Sequence, residues 1–262
     1  MKPAADVEVI HDKLYTLDTV LEPEKIFPTL SELARRNLGD EVAIHDVQVE
    51  VIRRRNQRCV VRYIVEGMHK PSRQPLQWHV IGKVYKANRG EGVFATMQSL
   101  WKNGFHRNAA DHISIPEPLF FDSQLCVLFQ EEVPGLPIKV LLKTSPKPEY
   151  MRQLARAIAK LHKTPPTSDE IFGVDDHLLR CHPRYPFLYL ALPELKSKIN
   201  FIVDTAKKIE QQLDRTQIGT IHGDFHLGQA HIENGKIWLI DFDALSFSDP
   251  AADLGNLLVF LK

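Results

Sequence analysis

Polar and ionisable residues interrupt two apolar runs between positions 221 and 243 of the sequence. Asp224 follows the first run and a glycine, and Asp241 directly follows the second, so each carboxylate is expected where a strand ends. An Asn-Gly pair between the two runs predicts a tight turn, and hence a β-hairpin. Because the start of one hairpin strand lies near the end of the other, Asp224, Gln229 and Asp241 are expected to converge.

Two carboxylates and an amide oxygen on one hairpin are suited to phosphoryl transfer. Hard cations such as Mg²⁺ take oxygen ligands, and they are usually held by one or two carboxylates together with substrate phosphates. A further carboxylate within reach of an acceptor hydroxyl can take the hydroxyl proton. This set matches the catalytic parts of a kinase-type phosphotransferase.

Three sequence blocks occur in order over this region. They are His-Gly-Asp-Phe-His-Leu-Gly-Gln at 222–229, Ile-Asp-Phe-Asp at 240–243 and Asp-Pro-Ala-Ala-Asp-Leu at 249–254. In order and spacing the blocks resemble the aminoglycoside phosphotransferase and choline kinase family, a branch of the protein-kinase-like fold. Three blocks in register are far more specific than any one of them. The resemblance implies that Asp224 is the catalytic base and that Asp241 is the principal Mg²⁺ ligand.

The same resemblance assigns roles to the residues around the two carboxylates. Gln229 stands where most family members have Asn, and it is interpreted as a second metal ligand whose amide oxygen lies one methylene further out. A similar His-Leu-Gly-Gln ending occurs in sugar kinases of the maltokinase-like group. His222 is expected to support the loop by hydrogen bonding, and Asp253 is expected to brace it in the same way.

The N-terminal part of the sequence resembles the nucleotide-binding half of the family. Lys83 resembles the strand lysine that holds the α- and β-phosphates, and Glu91 is expected to pair with it. The segment 128–135 resembles the hinge whose backbone groups bind adenine, which implies Glu131 and Val133 as nucleotide-binding residues. Considered alone, Lys83 also fits an ordinary strand-face lysine, and Glu91 fits a first-turn acid that stabilises a helix dipole.

A basic, turn-like stretch from Arg53 to Arg58 lies where the family's phosphate-covering loop is expected. The stretch contains no glycine, so it cannot form a Gly-rich phosphate cradle. Its arginines either contact phosphate instead or are simply solvated, and the sequence leaves both interpretations open.

The elements that position these residues predict an α+β arrangement with two lobes, and the family resemblance implies that the fold is protein-kinase-like. Residues 1–133 are predicted to form a β-rich nucleotide-binding lobe with an antiparallel sheet and a helix. Residues 134–262 are predicted to form a mainly helical catalytic lobe that carries the β-hairpin. The Pro-rich stretch 145–148, beyond which the chain is expected to be mainly helical, is also interpreted as a lobe junction. A Thr-x-x-Glu capping box at 29–32 predicts the start of a helix that ends at Gly39.

Family members usually continue beyond the point at which this sequence ends. The C-terminal lobe is therefore expected to be unusually short, or the sequence to be a truncated fragment. Either case affects the acceptor pocket, because the family's additional helices help to shape it. The identity of the acceptor is consequently left open by the sequence.

Composition limits the other function classes. The 262-residue chain has 33 Lys plus Arg and 33 Asp plus Glu residues, so a broad nucleic-acid-binding surface is not expected. No apolar run approaches the roughly 20 residues that span a bilayer, and no signal peptide is visible. Three widely spaced cysteines favour a reducing cytoplasm over a disulfide framework.

The leading hypothesis is an enzyme that uses Mg²⁺ and ATP and transfers the γ-phosphoryl group to a hydroxyl of an aminoglycoside, sugar or amino alcohol. Its expected partners are ATP and a small hydroxyl-bearing substrate, without nucleic acid or membrane, and its oligomeric state stays open. One alternative is a metal-dependent phosphoesterase, because Gly-Asp-x-His at 223–226 resembles part of a dinuclear hydrolase motif. The other is a kinase-like nucleotide-binding module without turnover.

Overall fold

The computed structural model describes residues 14–55, 58–86, 89–166, 170–180, 185–213 and 218–261. Runs of antiparallel strands and runs of helices occupy separate parts of the chain, in agreement with the predicted α+β class. The chain divides into two compact units, Met1–Pro134 and Gly135–Lys262. The Pro-rich stretch 145–148 lies inside the second unit, so the prediction that it forms the junction is wrong. Pro148 instead occupies the first position of a helix, where a missing N–H costs nothing.

The first unit is built around a five-stranded antiparallel sheet. Its helices are α1 (Leu17–Leu21), α2 (Pro23–Leu38) and α3 (Arg89–Leu100), and a short π-helical turn (Trp101–Phe105) continues α3. Its strands are β1 (Val42–Arg55), β2 (Arg58–His69), β3 (Gln74–Tyr85), β4 (Ile113–Ser114), β5 (Pro118–Asp122) and β6 (Val127–Glu131). The strand order in the sheet is β1-β2-β3-β6-β5.

One face of this sheet forms the larger core of the first unit. Alternate residues of β2, namely Cys59, Val61, Tyr63 and Val65, are almost completely buried, which is the period-two pattern of a strand with one buried face. Helices α1 and α2 supply apolar side chains to the same core. The Tyr63 hydroxyl donates a hydrogen bond to the carbonyl oxygen of Val20 in α1 at 3.0 Å. Burial of this ring raises the pKa of Tyr63.

Helix α2 begins earlier than the sequence predicts. The helix starts at Pro23, and the carboxylate of Glu32, inside the helix, does not cap its N-terminus. It accepts hydrogen bonds from Arg35 and Arg36 at 2.7–2.8 Å instead. These hydrogen bonds, first of all those from Arg35, lower the pKa of Glu32 to about 2. The predicted C-terminal end is confirmed, since α2 ends at Leu38 and Gly39 follows with φ of 100°.

The opposite face of the sheet is covered by α3. Gly90 in the first turn of this helix lies against Tyr85 of β3 and Phe121 of β5, and a Cβ at Gly90 would be 2.5 Å from Cε2 of Phe121. Tyr85 is nearly completely buried at this contact. Lys83 is two residues from Tyr85 in the same strand, so it projects to the α3 face of the sheet.

The second unit is mainly helical and contains a small β-hairpin. Its helices are α4 (Ile138–Thr144), α5 (Pro148–His162), α6 (Val174–Arg180), α7 (Tyr185–Ala191), α8 (Lys196–Gln212) and α9 (Ala251–Phe260), with 3₁₀ turns at Pro193–Leu195 and Phe242–Ala244. Its strands are β7 (Leu136–Pro137), β8 (Gly219–Ile221), β9 (Ala230–Glu233), β10 (Lys236–Leu239) and β11 (Ser246–Ser248). Among the helices that the structure describes, none combines the length and apolar character required to cross a membrane.

Strands β9 and β10 form the hairpin that the Asn-Gly pair predicts. Their register places Lys236 opposite Glu233 and Leu239 opposite Ala230. The turn residues Asn234 and Gly235 both have positive φ, as a two-residue hairpin turn requires. Strand β7 pairs with the free side of β9, whereas β8 and β11 form a separate antiparallel pair.

Candidate active site

The loop that follows β8 carries the first predicted site residues. His222 at its start is completely buried, whereas Asp224 is exposed two residues later. Gly223 between them has φ of +77°, a conformation that strongly favours glycine. The turn at Gly223 therefore moves the chain from the buried strand to a position where the Asp224 carboxylate is accessible.

A buried carboxylate on α9 holds this loop in place. Asp253 is 1% exposed and accepts hydrogen bonds from the backbone N–H of His222 at 2.7 Å and of Gly223 at 2.8 Å. Nε2 of His162, at the end of α5, lies 3.0 Å from the Asp253 carboxylate. Hydrogen bonds to an ionised acceptor in a low-dielectric interior are among the stronger polar interactions in proteins. One side chain thus ties the loop to two helices.

The imidazole of His222 joins the loop to the end of β10. Its Nε2 is 2.9 Å from the carbonyl oxygen of Ile240, and because a carbonyl can only accept, the proton must be on Nε2. The ring packs against Phe225 and Phe242, with centroid distances of 5.8 and 5.4 Å. Ile240 immediately precedes Asp241, so His222 fixes the backbone next to the second predicted carboxylate.

The hairpin places Gln229 beside the Asp224 carboxylate and next to the backbone that leads into Asp241. The backbone N–H of Ile240 donates to the carbonyl oxygen of Gln229 at 2.9 Å. Asp241 is the next residue after Ile240, so its backbone lies close to that of Gln229. Nε2 of Gln229 is 3.4 Å from Oδ2 of Asp224, a long hydrogen bond. The donor in this contact is the amide nitrogen of Gln229, so the contact does not involve the amide oxygen of Gln229. Asp224 and Gln229 are therefore in side-chain contact, and the chain segment that carries Asp241 pairs with Gln229.

Asp241 has a left-handed backbone conformation, with φ of 67° and ψ of 65°. Aspartate tolerates this region better than most residues, yet the conformation still costs about 1–2 kcal/mol. The chain continues directly into the 3₁₀ turn, where Phe242 is buried. Such conformations persist only where their surroundings hold them, and they are concentrated at functional sites.

Arg180 supports the segment that follows Asp241. Nη1 of Arg180 donates to the carbonyl oxygen of Ala244 at 2.8 Å and is 3.2 Å from Oγ of Ser246. The guanidinium group also lies 4.0 Å from the centroid of the Phe172 ring. Sequence reasoning missed this residue, because Arg180 and Ala244 are 64 positions apart and nothing in the pattern of α6 indicates the contact.

His226 is half-buried and lies two residues after Asp224. Burial lowers the pKa of His226, and the carboxylates of Asp224 and Asp241 oppose this shift without cancelling it. Nδ1 of His226 accepts a hydrogen bond from the backbone N–H of Gly228 at 3.0 Å. A neutral imidazole is needed for this bond, because a protonated ring has no acceptor nitrogen. His226 therefore shapes the turn that leads into Gln229.

Lys83 and Glu91 lie in the first unit. Lys83 is 6% exposed and sits on the α3 face of β3, opposite Val60 of β2 and Leu128 of β6. Glu91 is exposed in the first turn of α3. No ion pair joins these two side chains, both of which belong to the described part of the chain. The expected Lys83–Glu91 pair is therefore not formed in this structure.

Glu131 ends β6, and Val133 follows in the segment predicted to contact adenine. The backbone N–H of Glu131 donates to the carbonyl oxygen of Glu117 at 2.9 Å, and its carboxylate accepts from the Glu117 N–H at 3.2 Å. The same carboxylate forms an ion pair with Arg107. Val133 is half-buried. The Glu131 side chain is thus engaged within the first unit, so a nucleotide contact at this segment has to come from backbone groups.

Replacing Gly223 with alanine is expected to destabilise the protein. The new Cβ would lie 2.2 Å from the carbonyl oxygen of Ala244, at a φ that L residues rarely adopt. Gly235→Ala is a matched control, because Gly235 has φ of +79° and nothing within 4 Å of a Cβ. In urea denaturation we expect losses of about 1 kcal/mol for Gly235→Ala and about 3 kcal/mol for Gly223→Ala. Equal losses would contradict the close approach to Ala244.

The chain resembles known proteins in sequence and in structure. The model of the phosphotransferase enzyme family matches residues 84–261. No curated protein sequence is significantly similar to the chain.

Solved structures of kinases and phosphotransferases superpose on most of the chain. A choline/ethanolamine kinase family protein from Mesorhizobium loti is 14% identical, with a TM-score of 0.57 over 89% of this chain and 69% of that chain. The GDP complex of wild-type aminoglycoside 2'-phosphotransferase-IIIa is also 14% identical, with a TM-score of 0.57 over 89% and 78%. Amicoumacin kinase hAmiN, in complex with AMP-PNP, Ca²⁺ and Ami, is 15% identical, with a TM-score of 0.52 over 82% and 64%. At these identities the similarity shows the fold, so the predicted protein-kinase-like fold is confirmed.

Proposed function

Because the chain belongs to the phosphotransferase enzyme family, we propose that it transfers the γ-phosphoryl group of ATP to a hydroxyl of an aminoglycoside, sugar or amino alcohol. Family membership makes it a phosphotransferase with an alcohol group as acceptor. The observation that supports the finer proposal is the contact of Gln229 with Asp224 beside the backbone that leads into Asp241, in a loop that Asp253 and His222 hold through hydrogen bonds. Catalysis of this reaction depends mainly on positioning and on electrostatic stabilisation, and rigid support of the loop serves both.

We assign Asp224 the role of base. Its carboxylate is exposed, whereas the backbone on its N-terminal side is fixed by Asp253. The acceptor hydroxyl gives its proton to this carboxylate while its oxygen bonds to the γ-phosphorus. The bond between the γ-phosphorus and the β–γ bridging oxygen breaks, and ADP leaves with that oxygen. The contact from Gln229 orients the Asp224 carboxylate for this transfer.

The donor set around Asp241 fits a hard divalent cation. Asp241 offers carboxylate oxygens and Gln229 an amide oxygen, which are the ligand types that Mg²⁺ takes in proteins. Within the described residues, no group of three or more His, Cys, Asp or Glu side chains is arranged to hold a metal ion. We assign the remaining coordination positions to phosphate oxygens and water. When bound, Mg²⁺ neutralises charge on the β- and γ-phosphates, and the AMP-PNP and Ca²⁺ in the amicoumacin kinase complex support a nucleotide and a divalent cation in general terms.

We assign nucleotide contacts in the first unit to Lys83 and to the backbone near Glu131 and Val133. Lys83 is nearly buried, and its ammonium acts as a point charge toward the α- and β-phosphates. The proposed support from Glu91 requires its exposed side chain to reorient toward Lys83 when nucleotide binds. A reducing cytoplasm is the proposed location, in keeping with the burial of Cys59 and Cys126 as cysteines outside any disulfide framework.

Asp241→Asn is expected to weaken Mg-ATP binding by at least about tenfold, because it removes the charge of the principal metal ligand. Asparagine also tolerates the left-handed conformation, so the backbone is retained. Calorimetric titration of Mg-ATP into the wild type and the variant measures the effect. Asp204→Asn removes the same charge from an exposed position on α8 and serves as the control, for which we expect wild-type affinity.

Two outcomes would overturn this assignment. Equal affinity in Asp241→Asn and the wild type would remove Asp241 from the metal site. No ATP binding by the wild type would favour a module that has abandoned nucleotide chemistry. If Mg-ATP binds, ADP release in the presence of aminoglycosides, amino sugars and amino alcohols identifies the acceptor class. Hydrolysis of phosphate esters without ATP would instead indicate the metal-dependent phosphoesterase.

A further inference from the structure

We propose that Arg180 of α6 is a positioning residue for both carboxylates of the proposed reaction. It holds the carbonyl oxygen of Ala244, at which the segments that carry Asp224 and Asp241 meet. The inference rests on the proposed function, because it concerns how these two side chains are held for phosphoryl transfer. Arg180 is assigned no contact with a substrate, so its effect passes through the backbone of the chain.

Residues 171–180, here called the α6 segment, are hydrogen-bonded to strand β11. The N–H of Phe172 donates to the carbonyl oxygen of Phe247 at 2.8 Å, and the Ser248 hydroxyl donates to the carbonyl oxygen of Phe172 at 2.7 Å. Nε2 of His177 lies 3.0 Å from the same hydroxyl, whose oxygen can accept from it because the hydroxyl proton points to Phe172. Strand β11 is therefore bonded both to the α6 segment and to β8.

Arg180 ends the α6 segment and extends this support toward Asp241. Its Nη1 donates to the carbonyl oxygen of Ala244 at 2.8 Å and lies 3.2 Å from Oγ of Ser246. The ring of Phe172, 4.0 Å from the guanidinium group, orients it by a cation–π contact. Arg180 is half-buried, and a charge-assisted hydrogen bond that is partly shielded from water is stronger than an exposed one.

The carbonyl oxygen of Ala244 packs directly against the turn that carries the proposed base. It lies so close to Gly223 that a Cβ on this glycine would be 2.2 Å away from it. Gly223 immediately precedes Asp224, and Ala244 ends the 3₁₀ turn that begins directly after Asp241. A displacement of this carbonyl therefore changes the separation of the two carboxylates. Misplacement of a catalytic group by about 1 Å can lower the rate by about a hundredfold.

The role of Arg180 differs from that of Asp253. Asp253 holds the N–H groups of His222 and Gly223 from α9, and these hydrogen bonds remain when Arg180 is replaced. The Ala244 carbonyl then retains the long hydrogen bond from the Ser246 hydroxyl at 3.3 Å. The loop should therefore stay folded without Arg180, while its position relative to the Asp241 segment is no longer fixed from α6.

Arg180→Ala tests the proposal in the full chain, at a temperature where circular dichroism shows that the variant is folded. We expect kcat to fall by about 10–100-fold with an acceptor that turns over, and methylguanidinium at millimolar concentration to restore part of it. Hydrogen exchange should become faster in peptides that cover residues 222–229 and 242–248, and stay unchanged in those from β2 and β3. Arg156→Ala removes an exposed arginine from α5 and should behave like the wild type.

Arg180→Lys separates charge from geometry. Lysine keeps the positive charge, but a single ammonium cannot reproduce the planar group that contacts the Ala244 carbonyl and the Phe172 ring together. We therefore expect kcat to fall by at least about fivefold in this variant as well. If Arg180→Ala does not fold, Arg180→Lys decides the question, and wild-type kcat in it would overturn the proposal.

Unchanged kcat in a folded Arg180→Ala variant, with normal Mg-ATP binding and turnover by the wild type, would overturn this proposal alone. A lower midpoint of urea denaturation with wild-type kcat would give Arg180 a role in stability only, and the proposal would again be wrong. Absence of ATP binding by the wild type would overturn the proposed function together with it, so the two failures are distinguishable.

Discussion

Asp253→Asn is expected to lower the free energy of unfolding by about 3–5 kcal/mol, although Asp253 is not assigned to any ligand. The wild-type carboxylate accepts from the N–H groups of His222 and Gly223 and lies within hydrogen-bond distance of His162. Asparagine keeps one acceptor oxygen and turns an NH₂ group toward a buried donor, so at least one buried polar group loses its partner. Urea denaturation of the wild type and the variant measures the loss.

Asp249→Asn is the matched control for this experiment. Asp249 is four residues earlier, and its carboxylate accepts a hydrogen bond from the Ala251 N–H at 2.8 Å, but this bond is exposed to solvent. Water can replace the lost acceptor there, so we expect a change of about 1 kcal/mol or less. If the two variants unfold at the same urea concentration, the buried hydrogen bonds of the Asp253 carboxylate do not contribute more to the free energy of unfolding than the exposed hydrogen bond of Asp249.

Local sequence patterns predicted the hairpin and the residues next to it. A two-residue hairpin turn of this type requires positive φ at both turn positions, and Asn and Gly are the residues that adopt positive φ most readily. Asn234 and Gly235 both have positive φ in the structure. Once that turn is fixed, period two sets which residues of β9 and β10 face inward. Gln229 and Asp241 then have to be neighbours because they flank the paired strands. This part of the site follows from interactions only a few residues apart.

Contacts between distant residues are what the sequence could not supply. The Arg180–Ala244 and His162–Asp253 contacts join positions 64 and 91 residues apart, and no periodicity relates them. Asp253 was nevertheless predicted to brace the loop, because the resemblance to the family carried that information. The same resemblance suggested a Lys83–Glu91 pair that the structure does not form. A single sequence gives the chemistry of each side chain, but it does not show which distant residue that side chain contacts.

Helix α2 shows why a correct local rule can still give a wrong boundary. A Thr-x-x-Glu pattern is a capping box only if the glutamate returns to the backbone at the N-terminus. In this helix Arg35 and Arg36 are one turn further along and bind the Glu32 carboxylate instead. Pro23 provides the actual start, since its fixed φ suits the first helical position.

If Asp224 is the base, its substitution should lower turnover without changing nucleotide affinity. Its carboxylate takes the acceptor proton but is not assigned to the metal, so nucleotide affinity should not depend on it. Asparagine preserves the shape of the side chain and an oxygen that can still accept from Nε2 of Gln229. What it lacks is a basic oxygen for the proton. The substitution therefore removes one chemical step and leaves the structure around it intact.

Asp224→Asn is expected to lower kcat by about 10²–10⁴-fold while Mg-ATP binds with wild-type affinity. The readouts are ADP release with an acceptor that turns over and calorimetric titration of Mg-ATP. Glu233→Gln removes a carboxylate from the exposed turn end of the same hairpin, and it should leave both quantities unchanged. Wild-type kcat in Asp224→Asn would exclude Asp224 as the base. Loss of Mg-ATP affinity in parallel with kcat would place this carboxylate in the metal site, and the division of roles between Asp224 and Asp241 would then be wrong.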